Sequence, residues 1–304
     1  MRKVNLIVIL SVLFLTSCGQ KERSAEEIGQ NDRDSLLELP LPSIPENIDS
    51  TQIARYLLEH FWDALDFADT LRTRNRDFME QNFANFSQLL ILADDSTAER
   101  TGIRTLMKKA EADTLTYKTI SEIAYHYLYD PNSPLLDEES YIPFMEIFKD
   151  SQFLGEAERE RNRFLLQGAM KNRPGMRAAD FKYTDRAGRA GTLYKTPVEG
   201  DLMVIFYDPD CDNCKEIMDK LAHNPSLSEM INQGKLTLLA VYSGENKDLW
   251  EKTAPELPKE WIVGYNDGSI EDNEDYLFRA SPTIYLLDSE KNVLVKDLPS
   301  AQIF

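Results

Sequence analysis

Leu202-Met203-Val204-Ile205-Phe206-Tyr207-Asp208-Pro209-Asp210-Cys211-Asp212-Asn213-Cys214-Lys215 is the stretch on which the reading of this chain turns. An apolar run of strand length meets a proline-containing turn. The turn delivers two cysteines at Cys-x-x-Cys spacing, and a helical pattern follows (Ile217, Met218, Leu221). This order places Cys211 at a helix N-terminus, where unpaired N–H groups and the helix dipole favour a thiolate. Cys214, one turn further on, can close a disulfide with little chain movement. The pattern is that of a dithiol redox site, and the activity it points to is thiol–disulfide exchange.

The sequence around this stretch is α/β. Short extended pieces around Gly188 read as a hairpin. Residues 236–242 form an apolar run with no polar alternation, as in a central parallel strand buried on both faces. Residues 246–252 suggest a short helix, 261–265 a brief extended piece, and 283–288 and 293–295 two more strands. Strands alternate with helices over 172–304, so this part is expected to be one α/β domain.

Upstream, residues 46–171 read as a separate all-α helical bundle. Ile53, Leu57, Phe61 and Leu65 recur every four residues after Asp49-Ser50, a plausible cap. Further helical stretches centre on Phe83 to Leu90, Leu106-Met107 and Tyr117 to Tyr127. Asp130-Pro131-Asn132-Ser133-Pro134 breaks the chain, because each proline disfavours helix in the residue before it. Two more helices are expected over 138–149 and 155–171. The histidines here, His60 and His126, stand singly and read as packed or solvated rather than as ligands. Tyr56, Phe61, Trp62, Tyr125, Tyr127, Tyr129, Tyr141 and Phe144 read as core before partner docking.

The chain begins with Met1-Arg2-Lys3 and a short apolar stretch, then Leu15-Thr16-Ser17-Cys18-Gly19. Positive flank, apolar run and small residues ending at a cysteine resemble a bacterial lipobox. The expectation is a signal peptide over 1–17, acylation of Cys18 and a lipid-bilayer anchor. A flexible tether follows over 18–45, polar at first and stiffened by Pro40, Pro42 and Pro45. That places the protein in the bacterial cell envelope, facing the periplasm, with inner and outer membrane both open.

The formal net charge of -18 disfavours nucleic acid as a partner, since phosphates would be repelled. With Cys18 in the leader and Cys211 and Cys214 paired, none of the 3 cysteines is left for a stabilising framework.

The C-terminal part resembles the thioredoxin superfamily, in particular its TlpA-like, membrane-tethered branch. The resemblance rests on Ala179-Asp180-Phe181 with Gly188 and Leu193, on the strand leading to Cys211-x-x-Cys214, and on Ser281-Pro282-Thr283 before an apolar strand. It implies a thioredoxin-like fold with catalytic Cys211 and Cys214. It also implies a cis Pro282 against the dithiol, with Ser281, Pro282 and Thr283 shaping a groove for an extended substrate segment. No cofactor or metal is implied beyond the redox-active Cys211–Cys214 disulfide. The whole chain resembles bacterial lipoproteins that carry a helical domain of unknown function before such a module. The implied partners are protein thiols and disulfides of the envelope and a membrane or envelope reductant.

The sequence departs from the family in several places. Asp212-Asn213 replaces the usual Gly-Pro, and Asp210 stands where a Trp precedes the first cysteine. Ile205 takes the place of a buried acid. The sequence ends at Phe304, where the closing helix is expected to begin.

The helix terminus favours the Cys211 thiolate, while Asp208, Asp210 and Asp212 oppose it. The balance favours a reductase or isomerase over a strong oxidant. Three alternatives stand beside this reading. One is a non-enzymatic binding lipoprotein with a structural or vestigial disulfide. Another is a peroxiredoxin-like peroxidase, disfavoured because Asp208 replaces the Thr or Ser such chemistry wants. The third is a soft-metal carrier, for which no third soft ligand stands near Pro282.

Overall fold

The protein is described by a computed structural model covering residues 37–93 and 95–298. The expected signal peptide over 1–17, Cys18 and most of the expected tether lie outside the described residues, as does the segment after residue 298 where a closing helix is expected.

The N-terminal part is helical, with α1 (Ile53–His60), α2 (Thr70–Thr73), α3 (Arg76–Ala93), α4 (Ser96–Ala110), α5 (Thr114–Leu128), α6 (Glu138–Phe148) and α7 (Glu156–Ala169). Aspartates start many of these helices. Asp69, Asp95, Asp113 and Asp137 each accept a backbone N–H of the first turn, which satisfies an orphan donor and complements the helix dipole. Part of the chain's acidity therefore caps helices. The bundle closes on an aromatic core of Phe61, Trp62, Phe78, Phe83, Phe86, Tyr129, Tyr141, Phe144 and Phe148. Gly102 of α4 lets that helix cross α1 closely, since a Cβ there would sit 2.9 Å from the Leu58 Cβ. His60 and His126 are on the surface beside Asp63 and Asp130. The four-residue turn α2 escapes the sequence pattern, being too short to show a period.

The C-terminal part is a mixed seven-stranded sheet flanked by helices. In chain order it carries β1 (Lys182–Asp185), β2 (Ala190–Thr192), β3 (Asp201–Phe206), α8 (Asp212–Ala222), α9 (Pro225–Asn232), β4 (Leu236–Ser243), α10 (Lys247–Thr253), β5 (Ile262–Asn266), α11 (Ser269–Asp272), β6 (Thr283–Leu287) and β7 (Val293–Val295). The strand order is β2-β1-β5-β4-β3-β6-β7. Strands β3, β4 and β5 run parallel at the centre, and β6 and β1 join them antiparallel.

Both faces of β3 are buried, as its uninterrupted apolar run requires. Met203, Ile205 and Tyr207 pack on one side with Cys214, Ile217 and Met218. Leu202, Val204 and Phe206 pack on the other with Phe181, Tyr276 and Tyr285. Helix α9 is an element the sequence pattern did not disclose. It is started by Asn224, which accepts the Leu227 N–H, and by Pro225 in the first turn.

The two parts meet along residues 274–279 and the end of β7. Lys171 donates to Glu274 O at 2.6 Å and Asn172 to Asp275 O at 2.8 Å. Lys296 donates to Lys171 O at 3.0 Å and pairs with Glu138 at 2.6 Å. Among the described residues no helix is long and apolar enough to cross a membrane.

Candidate active site

Strand β3 ends in the turn Asp208-Pro209-Asp210-Cys211. The turn is closed by Cys211 N–H donating to Asp208 O at 3.1 Å and by Asp210 N–H donating to Asp208 Oδ1 at 2.8 Å. Cys211 is the N-cap of α8. Its half-buried sulfur accepts the Cys214 N–H at 3.4 Å, so an orphan donor of the first turn points at the sulfur that would carry charge. Asp212 is exposed and pairs with Lys215 at 3.2 Å, which blunts one of the nearby carboxylates.

Cys214 is 1% exposed, beneath the turn and against the β3 side chains. Both cysteines are free thiols. Burial pushes the Cys214 thiol up to about 11, against the pull of hydrogen bonds from Ser281 and Asp208. The Asp208 N–H lies 3.5 Å and the Ser281 Oγ 3.1 Å from its sulfur. The asymmetry suits a dithiol pair: a reachable sulfur with a backbone donor on it, and a buried one held protonated.

The loop before β6 completes the site. The Ser281–Pro282 bond is cis, as the resemblance implies. Ser281 O accepts from the Asn213 side-chain amide at 2.7 Å and lies 4.0 Å from the Cys211 sulfur. Thr283 is buried opposite Phe206 in the β3–β6 register, and its hydroxyl donates to Ala280 O at 2.6 Å. With Pro282, Thr283 also lines a cleft beside the dithiol.

The structure thus brings Cys211, Cys214, Ser281, Pro282 and Thr283 together, while Cys18 lies outside the described residues. Asn213 and Arg279 are neighbours of the site that sequence reasoning passed over. Asn213 was visible only as a departure from Gly-Pro. Arg279 lacked any local signal, since its partners Tyr129 and Glu138 lie in the other half of the chain. Among the described residues no group of three or more His, Cys, Asp or Glu side chains is placed to hold a metal ion.

Comparison with known proteins gives the family. Residues 17–172 match a domain of unknown function, DUF5106. A solved structure of a thioredoxin-like protein from Bacteroides caccae is 36% identical, with a TM-score of 0.77 over 87% of this chain and 96% of that one. A conserved protein of unknown function from Bacteroides fragilis is 40% identical over 43% of this chain and 96% of its own, with a TM-score of 0.41. The thioredoxin domain of a thiol-disulfide oxidoreductase from Bacteroides vulgatus is 20% identical over 42% of this chain and 89% of its own, with a TM-score of 0.37. No curated protein matches the chain. A helical N-terminal part matching that domain model, a thioredoxin-like sheet behind it and a near full-length relative agree: the chain belongs to the thioredoxin-like proteins whose N-terminal part is the domain of unknown function DUF5106.

Proposed function

We propose that the protein is a thiol–disulfide oxidoreductase that reduces or isomerises protein disulfides in the bacterial cell envelope, tethered to the membrane through acylated Cys18. The observation that carries this reading is the pairing of a reachable Cys211 sulfur, capped by the Cys214 N–H at 3.4 Å, with a buried Cys214 sulfur 3.1 Å from the Ser281 hydroxyl.

In the reducing direction the Cys211 thiolate attacks one sulfur of a substrate disulfide. The substrate S–S bond breaks, a Cys211–substrate disulfide forms, and the departing substrate sulfur takes up a proton. Cys214 then loses its proton and attacks the Cys211 sulfur. The second substrate sulfur leaves and is protonated, and the protein is left with a Cys211–Cys214 disulfide. Two electrons have passed to the substrate, and an external dithiol reductant of the envelope must return them. With no acid at position 205, the Ser281 hydroxyl is the polar side chain placed to assist deprotonation of Cys214.

A purely structural role for the disulfide is weaker on energetic grounds. Closing a loop of four residues removes only about 2 kcal/mol of unfolded-state entropy, against about 3 for a loop of fifteen. The test is insulin reduction by the full chain with dithiothreitol as electron source. Turnover well above dithiothreitol alone, lost in Cys211→Ser, supports the reading. Turnover no faster than dithiothreitol alone contradicts it.

A further inference from the structure

A cleft of about 170 Å³ lies beside the dithiol, and its walls come from both halves of the chain. Pro131 and Leu136 of the helical region face Ile217, Pro282 and Leu298 of the thioredoxin-like part. We infer that the helical region supplies the second wall of the substrate cleft, and that the cleft takes an uncharged side chain from the substrate segment that carries the reacting cysteine. This deepens the redox reading above and rests on it.

The attachment point identifies the occupant. During exchange the substrate is covalently held at the Cys211 sulfur. Asn213 and Pro282 both line the cleft. Asn213 follows Cys211 by two residues, and Pro282 follows Ser281, whose carbonyl oxygen lies 4.0 Å from that sulfur. Residues flanking a substrate cysteine are therefore delivered to the cleft.

The lining sets the chemistry of the side chain. The charged liners Arg279 and Asp297 satisfy each other, Nε to Oδ2 at 2.9 Å, and their side chains are only 7% and 11% exposed. No free charge is offered to a ligand among the described lining residues. The volume is below that of drug-sized pockets, about 300 Å³ and up, and close to the roughly 150 Å³ that holds a benzene ring. With Asn132, Asn213 and Thr283 among the liners beside the apolar ones, it suits one uncharged side chain of about the size of Phe or Gln.

The wall is also held in place at both ends. The segment 130–137 runs between Tyr129 and Glu138, and Arg279 reaches both. It donates to Tyr129 O at 3.2 Å, stacks 4.3 Å over the Tyr129 ring and lies 3.8 Å from Glu138. A wall fixed before binding loses little freedom when the cleft fills.

The test uses the full chain and three probes. Two are extended peptides whose single cysteine is disulfide-linked to a chromogenic thiol, one with Phe and one with Asp beside the cysteine. The third is the small chromogenic disulfide alone. For the wild-type chain the ratio of kcat/KM, Phe peptide over small disulfide, is expected to exceed the Asp ratio by about tenfold or more. Leu136→Asp and, at an exposed position, the cleft-filling Asn132→Trp should each collapse that preference. A wild-type chain without the preference, or variants that retain it or lower all three rates alike, overturns the inference. If the wild-type chain turns over no probe at all, the redox reading itself fails.

Discussion

The Ser281 hydroxyl lies 3.1 Å from the sulfur of Cys214. The residue before the cis proline thus addresses both cysteines, the reachable one through its carbonyl oxygen, 4.0 Å from the Cys211 sulfur, and the buried one through its hydroxyl. A neutral hydrogen bond of this kind contributes about 0.5–1.5 kcal/mol, and more once its partner is charged. Ser281→Ala is therefore expected to slow the resolving step by about tenfold while leaving the first attack by Cys211 much less affected. Stopped-flow measurement of the two steps separates them, and equal rates of resolution in variant and wild type would count against the assignment.

Cys214 also sets a pH dependence. Burial raises its thiol from 9.0 to about 11 in the folded, reduced protein. The folded value lies above the unfolded one. Its contribution to stability is thus fully present below about pH 9 and is lost as the pH rises through about 11. The oxidised protein has no Cys214 thiol to titrate. The difference in Tm between oxidised and reduced forms should widen from pH 9 to 11, and reduced Cys214→Ser should not show the extra fall. A constant difference across that range would refute this.

Glu138 joins the two halves of the chain. Its side chain is 9% exposed and pairs with Lys296 at 2.6 Å and with Arg279 at 3.8 Å. Burial raises its pKa, and the two cations pull the other way. Removing one member of a buried ion pair costs about 3–5 kcal/mol, because the partner stays buried without its counter-charge. Glu138→Gln should fall near the lower end, since Lys296 keeps the Lys171 carbonyl and Arg279 keeps Asp297. Denaturant unfolding followed by tryptophan fluorescence measures this, and a loss under about 1 kcal/mol would mean the pair contributes little.

What the sequence discloses and what it hides follows from range. The β3–Cys211–α8 unit is legible because an apolar run, a turn and a helical period lie within about twenty consecutive residues. The bundle helices are legible from apolar residues four apart, and the central β4 from a run without polar alternation. Helix α9 is not, because Leu227, Met230 and Ile231 are too few to establish a period. The clamp from Arg279 to Tyr129 joins residues 150 apart, and no local pattern encodes such a pairing. The break at 130–134 was legible as a break, and only the folded chain brings Pro131 into the cleft beside Pro282. The cis bond at Pro282 was legible through family resemblance alone.

The measurement that bears most directly on the proposed chemistry is the reduction potential of Cys211–Cys214 in the full chain, equilibrated against glutathione and dithiothreitol buffers. A reversible two-electron couple at or below about -250 mV is expected for a dithiol that delivers electrons to substrate disulfides. A couple near about -120 mV would mark a strong oxidant and reverse the proposed direction. No reversible couple at all would contradict thiol–disulfide exchange at this site.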